Sequence, residues 1–250
     1  MESIGEALKQ YHVKIKPLSK EDALKFKQKM EAEAAQKYLV TKSKQFLKKR
    51  SLCYEKSLLN SRFKNLDYSN PDFREIATKV KQVATDYQNG QRYNVILQGK
   101  AGTGKSLLAC CLLNSVHDNA KKPTNCLFLD ATMFADLALS QNDHQEYDKQ
   151  AHYSQVLRDL KETDVLVLDD LGSEASLKCG EITQANNTVQ RALFNLGTIM
   201  QHKAVVITTN NSGAEIKQMY NAKVTSRLLT NNINHVFNFD NLPDYRQSHN

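Results

Sequence analysis

The stretch that most restricts the fold of this chain is residues 99–106, which read Gly-Lys-Ala-Gly-Thr-Gly-Lys-Ser. They match the phosphate-binding pattern G-x-x-x-x-G-K-[ST] at every fixed position. The apolar run Val95–Leu97 before them predicts a buried strand, and the apolar run Leu107–Leu113 after them is long enough for a buried helix. A strand, a glycine-rich loop and a helix in this order predict a loop that binds the phosphates of a nucleoside triphosphate.

The residue types of this loop indicate how it would bind ATP and Mg²⁺. Glycines let several backbone N–H groups point at one anion, and the N-terminus of the following helix adds a positive dipole. Lys105 is expected to contact the β and γ phosphates, and the hydroxyl of Ser106 is expected to bind Mg²⁺. The residues predicted to bind the nucleotide are Gly99, Ala101, Gly102, Thr103, Gly104, Lys105, Ser106 and Leu107.

Short apolar runs separated by helical stretches continue through the rest of the chain. This alternation predicts an α/β fold with a parallel sheet and right-handed crossovers. A helix is predicted over 71–88, after Asn70-Pro71, while the polar stretches 140–152 and 173–187 are expected to be exposed loops or insertions. The predicted strands are Asn94–Leu97, Cys126–Leu129, Val165–Leu168, Val205–Thr208 and His235–Phe239.

Two acidic residues follow the third of these strands. Asp169 stands where a P-loop ATPase needs a carboxylate for the Mg²⁺ shell, and we assign it that role. Asp170 stands where many ATPases place a glutamate that polarises the attacking water. Because aspartate is shorter by one methylene, Asp170 either acts through a longer contact or supports only slow hydrolysis.

Three further polar residues are candidates for contact with the nucleotide. Asn210 ends the fourth strand and is expected either to orient water against the γ-phosphate or to cap the following turn. Arg227 lies in an apolar stretch, where it either pairs with a local carboxylate or serves a neighbouring subunit as an arginine finger. Arg246 either contacts the nucleotide or lies on the surface.

Composition excludes several classes of protein. The 40% hydrophobic content is enough for a core, and no apolar run approaches the roughly 18–20 residues that span a bilayer. The five cysteines form no C-x-x-C pair, which favours buried thiols in a reducing compartment over disulfides or zinc. The first residues also lack the basic and apolar blocks of a signal peptide, so we expect a cytoplasmic protein without membrane contact.

The positive charge is concentrated at the N-terminus. The chain has a net charge of +7, of which residues 1–65 contribute +9 and the remaining residues −2. We therefore predict a basic helical N-terminal region over 1–65 and a nucleotide-binding domain over 66–250.

The N-terminal region has a helical pattern. A helix is predicted across 19–62, with an apolar stripe of Phe26, Met30, Ala34 and Tyr38 at four-residue spacing. Such a basic amphipathic segment either docks on a partner or packs on the core as a solvated hairpin.

Several motifs together resemble one family. They are Asp-Asp-Leu-Gly-Ser-Glu at 169–174, Thr-Thr-Asn at 208–210, Ser-Arg-Leu at 226–228 and Asp-Tyr-Arg at 244–246, in addition to the phosphate loop. With them, the chain from about Phe63 to Arg246 resembles the DnaC/DnaI-type helicase loaders of the AAA+ superfamily. It also resembles the related transposition ATPases of the IstB type.

The resemblance implies an AAA+ fold and a set of roles. The expected sheet has five parallel strands in the order 5-1-4-3-2, with ATP at a subunit interface. Asp169 would be the Walker B acid, Asn210 the sensor 1 residue and Arg227 the finger that acts in trans. This chain differs from the family in two respects. The connecting segment over 176–187 is longer here than the usual one. In addition, some loaders have an N-terminal zinc site, which Cys53 alone cannot build.

The resemblance also implies a function with alternatives. The N-terminal region of such a loader binds a hexameric replicative helicase, and its self-associating ATPase core binds single-stranded DNA. ATP hydrolysis would be slow and stimulated by assembly or DNA. The alternatives are an IstB-like ATPase that regulates a transposase on duplex DNA, and an adaptor that binds ATP and scarcely hydrolyses it.

Overall fold

A computed structural model describes residues 19–143, 145–175, 182–230 and 232–246. The strands are β1 (Val95–Gln98), β2 (Cys126–Asp130), β3 (Val165–Asp169), β4 (Ala204–Thr209) and β5 (Val236–Asn238). The α-helices of these ranges are α1 (Lys20–Arg50), α2 (Pro71–Gln88), α3 (Lys105–Asn119), α4 (Ala131–Leu139), α5 (Tyr147–Glu162), α6 (Asn187–Ile199), α7 (Gly213–Met219) and α8 (Ala222–Leu228). Among the helices of these ranges, none combines the length and the apolar character that crossing a lipid bilayer requires.

Residue contacts divide the chain into two units. The first ends at Leu39, and its described part is the N-terminal portion of α1. The second begins at Val40 and contains the sheet. Residues 1–18 of the predicted N-terminal region lie outside the described residues, and the division into 1–65 and 66–250 stays a prediction.

All five strands are parallel, in the order β2-β3-β4-β1-β5. Read from the other edge, this is the predicted order 5-1-4-3-2. The register places Asp130 beside Asp169, and Gln98 beside Thr209. The carboxyl ends of β1 to β4 therefore meet at one edge of the sheet, where a ligand of an open α/β fold binds.

Apolar side chains fill both faces of the sheet. Successive residues of a strand point to opposite faces, so Ile96 and Leu97 belong to two different clusters. Leu97 packs with buried residues of α2 and α3, and Ile96 packs with buried residues of α4, α5 and α6. This three-layer core confirms the predicted α/β class.

The predicted helix over 19–62 is wrong in its last part. Helix α1 ends at Arg50, and Leu52 instead pairs with the outer edge of β2. The Leu52 amide donates to the Phe128 carbonyl at 3.0 Å, and the Leu52 carbonyl accepts from the Asp130 amide at 3.0 Å. The unpaired backbone groups of an edge strand outweigh the helical preference of this segment. Short 3₁₀ turns follow at Lys56–Asn60 and Phe63–Asn65.

The first of the two polar stretches differs from the predicted loop, whereas residues 173–175 and 182–186 of the second have no regular secondary structure, as predicted. Over 140–152, a 3₁₀ turn at Ser140–Asn142 is followed by α5, whose first turns are polar because they precede its buried residues Tyr153 and Val156. Of the stretch 173–187, residues 176–181 lie outside the described residues. The stretch ends at α6, which Asn186 caps by accepting from the Thr188 amide at 2.8 Å.

Helix α2 has the bounds that the sequence predicts because its N-terminus is fixed locally. The Asn70 side chain accepts from the amides of Asp72 and Phe73 at 3.0 and 3.1 Å, and Pro71 occupies the first helical position. Both features are typical of a helix start.

We expect Asn70→Ala to lower the free energy of unfolding by about 1 kcal/mol, because two amides lose their acceptor. Asn119→Ala is the matched control, since the Asn119 side chain donates to the Ser115 carbonyl at an exposed position. Its effect should stay within about 0.5 kcal/mol. Urea denaturation of both variants measures the difference, and equal stabilities would contradict the capping role.

Candidate nucleotide-binding site

The phosphate loop connects β1 to α3 in a conformation that only glycine adopts easily. Gly99, Gly102 and Gly104 have φ values of 144°, 76° and 91°. A Cβ at Gly102 would lie 1.8 Å from Oδ1 of Asp244, and one at Gly99 would lie 2.8 Å from the backbone of Phe239. The glycines therefore allow the loop to pass close to the C-terminal residues. The Gly99 amide donates to the Thr209 carbonyl at 3.2 Å, and the later amides of the loop are the candidates for binding an anion.

Lys105, the first residue of α3, is buried within the loop. Its Nζ donates to the carbonyls of Gly99 and Lys100 at 2.6 Å each and to Oδ1 of Asn210 at 2.8 Å. Burial lowers the pKa of Lys105, and the nearby carboxylates of Asp170 and Asp169 act in the opposite direction. Phosphate oxygens at this position would exchange with these neutral acceptors and satisfy the same ammonium group.

Asp169, the last residue of β3, is 8% exposed and lies beside Ser106, the residue that ends the phosphate loop. Its Oδ1 accepts from the Thr208 hydroxyl at 2.6 Å, and the Ser106 side chain also hydrogen-bonds its carboxylate. Burial raises the pKa of Asp169 to about 6. A hydroxyl and a carboxylate in contact are the hard oxygen donors that Mg²⁺ prefers, so Ser106 and Asp169 fit the predicted metal position.

Within the described ranges, no three His, Cys, Asp or Glu side chains are grouped to hold a metal ion. A magnesium ion at Ser106 and Asp169 would therefore take its remaining ligands from phosphate and water, as Mg²⁺ does in phosphoryl-transfer sites.

Asp170 follows in a left-handed backbone conformation, with φ of 57°. Its amide donates to the Thr208 hydroxyl at 2.8 Å, and its Oδ1 accepts from Nδ2 of Asn210 at 2.9 Å. The two ends of the Asn210 amide thus bridge Lys105 and Asp170. A non-glycine residue in this region of φ is uncommon and is typical of functional sites.

A cavity of about 710 Å³ joins these groups. Its volume lies within the range of small-molecule sites. Of the predicted site residues, those that line it are Ala101, Gly102, Thr103, Gly104, Lys105, Ser106, Leu107, Asp169, Asp170 and Asn210, together with Arg246. Gly99 lies beneath it as the acceptor of the Lys105 hydrogen bond.

Sequence reasoning missed several lining residues. Asp130, at the end of β2, caps α4 through the Met133 amide at 2.9 Å, and burial raises its pKa. An acid at the end of a predicted strand was the available signal. Residues 53–55 and Leu58 also line the cavity, because the pairing of Leu52 brings their segment beside β2. Sequence periodicity carries no signal for that pairing.

Arg227 lies outside this cavity. Its Nη1 donates to the Lys223 carbonyl at 2.9 Å, and its guanidinium lies 4.2 Å from the centre of the Phe194 ring. Arg246 is exposed at the cavity mouth, and its positive charge contributes to the lowered pKa of Lys105. The catalytic, binding and metal roles of all these residues stay predictions.

Comparisons with known proteins agree with this geometry. The model of the family described as IstB-like ATP binding protein matches residues 2–240. Uncharacterized protein YdaV of Escherichia coli K12 is 26% identical over 169 residues. That match covers 68% of this chain and 62% of the relative, which is less than two thirds of its length.

Two solved structures have a similar fold. The DnaC helicase loader has a TM-score of 0.56 and 18% identity over 74% of this chain and 99% of its own. DnaI has a TM-score of 0.55 and 14% identity over 76% of this chain and 95% of its own. At these identities the likeness concerns the fold, and it confirms the predicted AAA+ P-loop architecture.

We expect Asp169→Asn to stabilise the protein at pH 8 in the absence of Mg²⁺ and nucleotide. The pKa of Asp169 is raised from 3.8 to about 6 in the folded protein. Ionisation of this carboxyl therefore lowers the free energy of unfolding, and the loss reaches its full size above pH 6. A shift of this size corresponds to about 3 kcal/mol. The gain should shrink as the pH falls from 6 towards 4, where the wild-type carboxyl becomes protonated.

Thermal denaturation with EDTA at pH 5 and pH 8 measures this difference. Asp67→Asn is the control with the opposite sign, since hydrogen bonds from Ser69 lower the pKa of Asp67 and that contribution is present only at higher pH. An Asp169→Asn gain that is as large at pH 5 as at pH 8 would contradict the assignment.

Proposed function

Because the chain belongs to the family of IstB-like ATP binding proteins, we propose that it is an ATP-dependent helicase loader. In this proposal it binds a hexameric replicative helicase and delivers it onto single-stranded DNA. The observation that carries the proposal is the arrangement of Lys105, Asp169 and Asn210 around one cavity at the carboxyl edge of an AAA+ sheet. The fold likeness to the DnaC helicase loader supports it.

The cavity residues have complementary tasks in ATP binding. Lys105 and the loop amides hold the phosphates, while Ser106 and Asp169 hold Mg²⁺, which neutralises phosphate charge when it is bound. Asp170 accepts a proton from the attacking water, and Asn210 orients that water from a position between Lys105 and Asp170. The short side chain of Asp170 makes this hydrolysis slow.

In this proposal, ATP hydrolysis needs a second copy of the chain, which supplies Arg227 to the site. Arg227 lies outside the cavity of its own chain, on a short helix, and its guanidinium lies 4.2 Å from the centre of the Phe194 ring. A cation presented in this way is available to the γ-phosphate of a neighbouring copy, where an arginine finger stabilises developing charge. ATP therefore favours self-association, and hydrolysis favours release.

The N-terminal helix offers a surface for the helicase. Phe26, Met30 and Tyr38 are exposed by 61%, 49% and 67%. These apolar side chains recur at helical spacing on a region whose net charge is +9 over residues 1–65. An exposed apolar stripe on a helix is typical of a segment that docks into a groove of a partner protein.

A second candidate function is regulation of a transposase on duplex DNA, which the IstB-like family match favours. The two functions differ in the DNA that they need. Fluorescence anisotropy with single-stranded and duplex oligonucleotides in the presence of ATP separates them. Preference for single strands supports the loader, and preference for duplex supports the transposition regulator.

Lys105→Ala should weaken ATP binding by about 10- to 100-fold, because a buried charge-assisted contact to phosphate is lost. Titration of a fluorescent ATP analogue measures the affinity. Lys203→Ala is the matched control, since Lys203 also donates to two carbonyls, those of Leu160 and Lys161, away from the cavity. Unchanged affinity in the Lys105 variant would refute the site.

Replacing Phe26, Met30 and Tyr38 together by Ser should abolish the complex with the replicative helicase and leave ATP affinity unchanged. Native mass spectrometry of the full chain mixed with the helicase measures the complex. Tyr147→Ser with Ile233→Ser is the control, because both are large hydrophobic side chains that are even more exposed, at 72% and 82%, in other parts of the chain. A complex that survives the triple substitution would contradict the docking surface.

A further inference from the structure

Glu174 is an acidic side chain near the cavity that the proposed mechanism does not use. It follows Asp170 by four residues, on the loop after β3. Its Oε2 accepts from the Gly172 amide at 3.1 Å, and its Oε1 accepts from the hydroxyl of Tyr220. Tyr220 is 2% exposed, so both partners of this carboxylate are fixed by packing.

Through its Oε2 atom, Glu174 helps to hold the loop that carries Asp170 in place. The hydroxyl and carbonyl of Thr208 accept from the amides of Asp170 and Leu171 at 2.8 and 2.9 Å. The contact of Glu174 with the Gly172 amide holds the loop from its other end. Because Asp170 is in an uncommon left-handed conformation, this double hold sets where its carboxylate points.

On the other side, Tyr220 joins α7 to α8. The next residue, Asn221, caps α8 by accepting from the Val224 amide at 3.1 Å. Oε1 of Gln190, in α6, accepts from the amide and Nδ2 of Asn221 at 3.0 and 2.6 Å. The start of α8 is therefore rigid, and Arg227 lies on this helix seven residues after Tyr220.

We infer that Glu174 is a positioning residue whose hydrogen bond with Tyr220 links the Asp170 loop of one nucleotide site to the helix that presents Arg227. The conformation of the Asp170 loop in one subunit would thereby affect the position of the Arg227 side chain that the same subunit presents to its neighbour. The inference rests on the proposed function, in which Arg227 acts in trans. The link runs through hydrogen bonds from the Asp170 loop to Tyr220 and then through the backbone into α8. Hydrogen bonds and rigid secondary-structure elements of this kind can carry coupling between sites.

Complementation between two variants tests this link. A subunit with Arg227→Ala keeps its own site but offers no finger, and a subunit with Lys105→Ala has no site but offers Arg227. A mixture of the two should hydrolyse ATP, although neither variant does so alone. Tyr220→Phe, which removes one hydroxyl and keeps the buried ring, is then added to one partner at a time.

The link predicts a fall in the kcat of the mixture of about three- to tenfold in both arms, with KM unchanged, since one hydrogen bond is lost and the phosphate loop is intact. A fall only in the arm that carries the intact site would overturn the link, because Tyr220 would then act locally. No fall in either arm would overturn it as well. An inactive parent mixture would instead contradict the trans role of Arg227 in the proposed function, and the inference with it.

Two further variants separate positioning from general stability. Tyr87→Phe also removes a buried hydroxyl that donates to a backbone carbonyl, that of Tyr93, but far from the cavity. It should lower the melting temperature without changing kcat. Glu174→Gln keeps an acceptor for the Gly172 amide and should retain more activity than Glu174→Ala. Equal activity of the two Glu174 variants would overturn the positioning role.

Discussion

The buried ammonium group of Lys105 sets the order of the whole carboxyl edge of the sheet. It holds two carbonyls of the phosphate loop and the Asn210 side chain, and Asn210 in turn holds Asp170. A buried cation requires such partners, because an unpaired charge in this environment is strongly destabilising. The loop therefore already has a shape that suits phosphate, and phosphate binding would exchange one set of acceptors of Lys105 for another without refolding the backbone.

This arrangement depends on the parallel register of the strands. Asp130 and Asp169 are paired positions on neighbouring strands, and Thr208 on the next strand reaches both Asp169 and the backbone of Asp170. The two apolar layers that cover the sheet hold these strands in place. A slip of one residue would move every side chain of a strand to the opposite face, so the core and the site specify the same register.

Local signals predicted the strands, helix α2 and the phosphate loop, because an apolar run, a capping asparagine and a glycine pattern each act within a few residues. The strand order came from family resemblance rather than from such signals. The end of α1 and the pairing of Leu52 with β2 were not predictable, since the partner of Leu52 is Leu129, in an edge strand far along the chain that competes with the helix. The role of the Thr208 hydroxyl was not predictable for a similar reason, because this hydroxyl contacts Asp169 only when β3 and β4 are adjacent.

The pairing of Leu52 also connects the end of α1 to the cavity. The backbone that leaves α1 is hydrogen-bonded to Phe128 and Asp130, at the strand end that lines the cavity. Tension applied to the N-terminal helix would reach these two hydrogen bonds after the contacts made by its last turns, such as the 2.6 Å hydrogen bond from the Ser43 hydroxyl to the Thr124 carbonyl. The segment after α1 therefore connects the end of this helix to the residues that line the cavity.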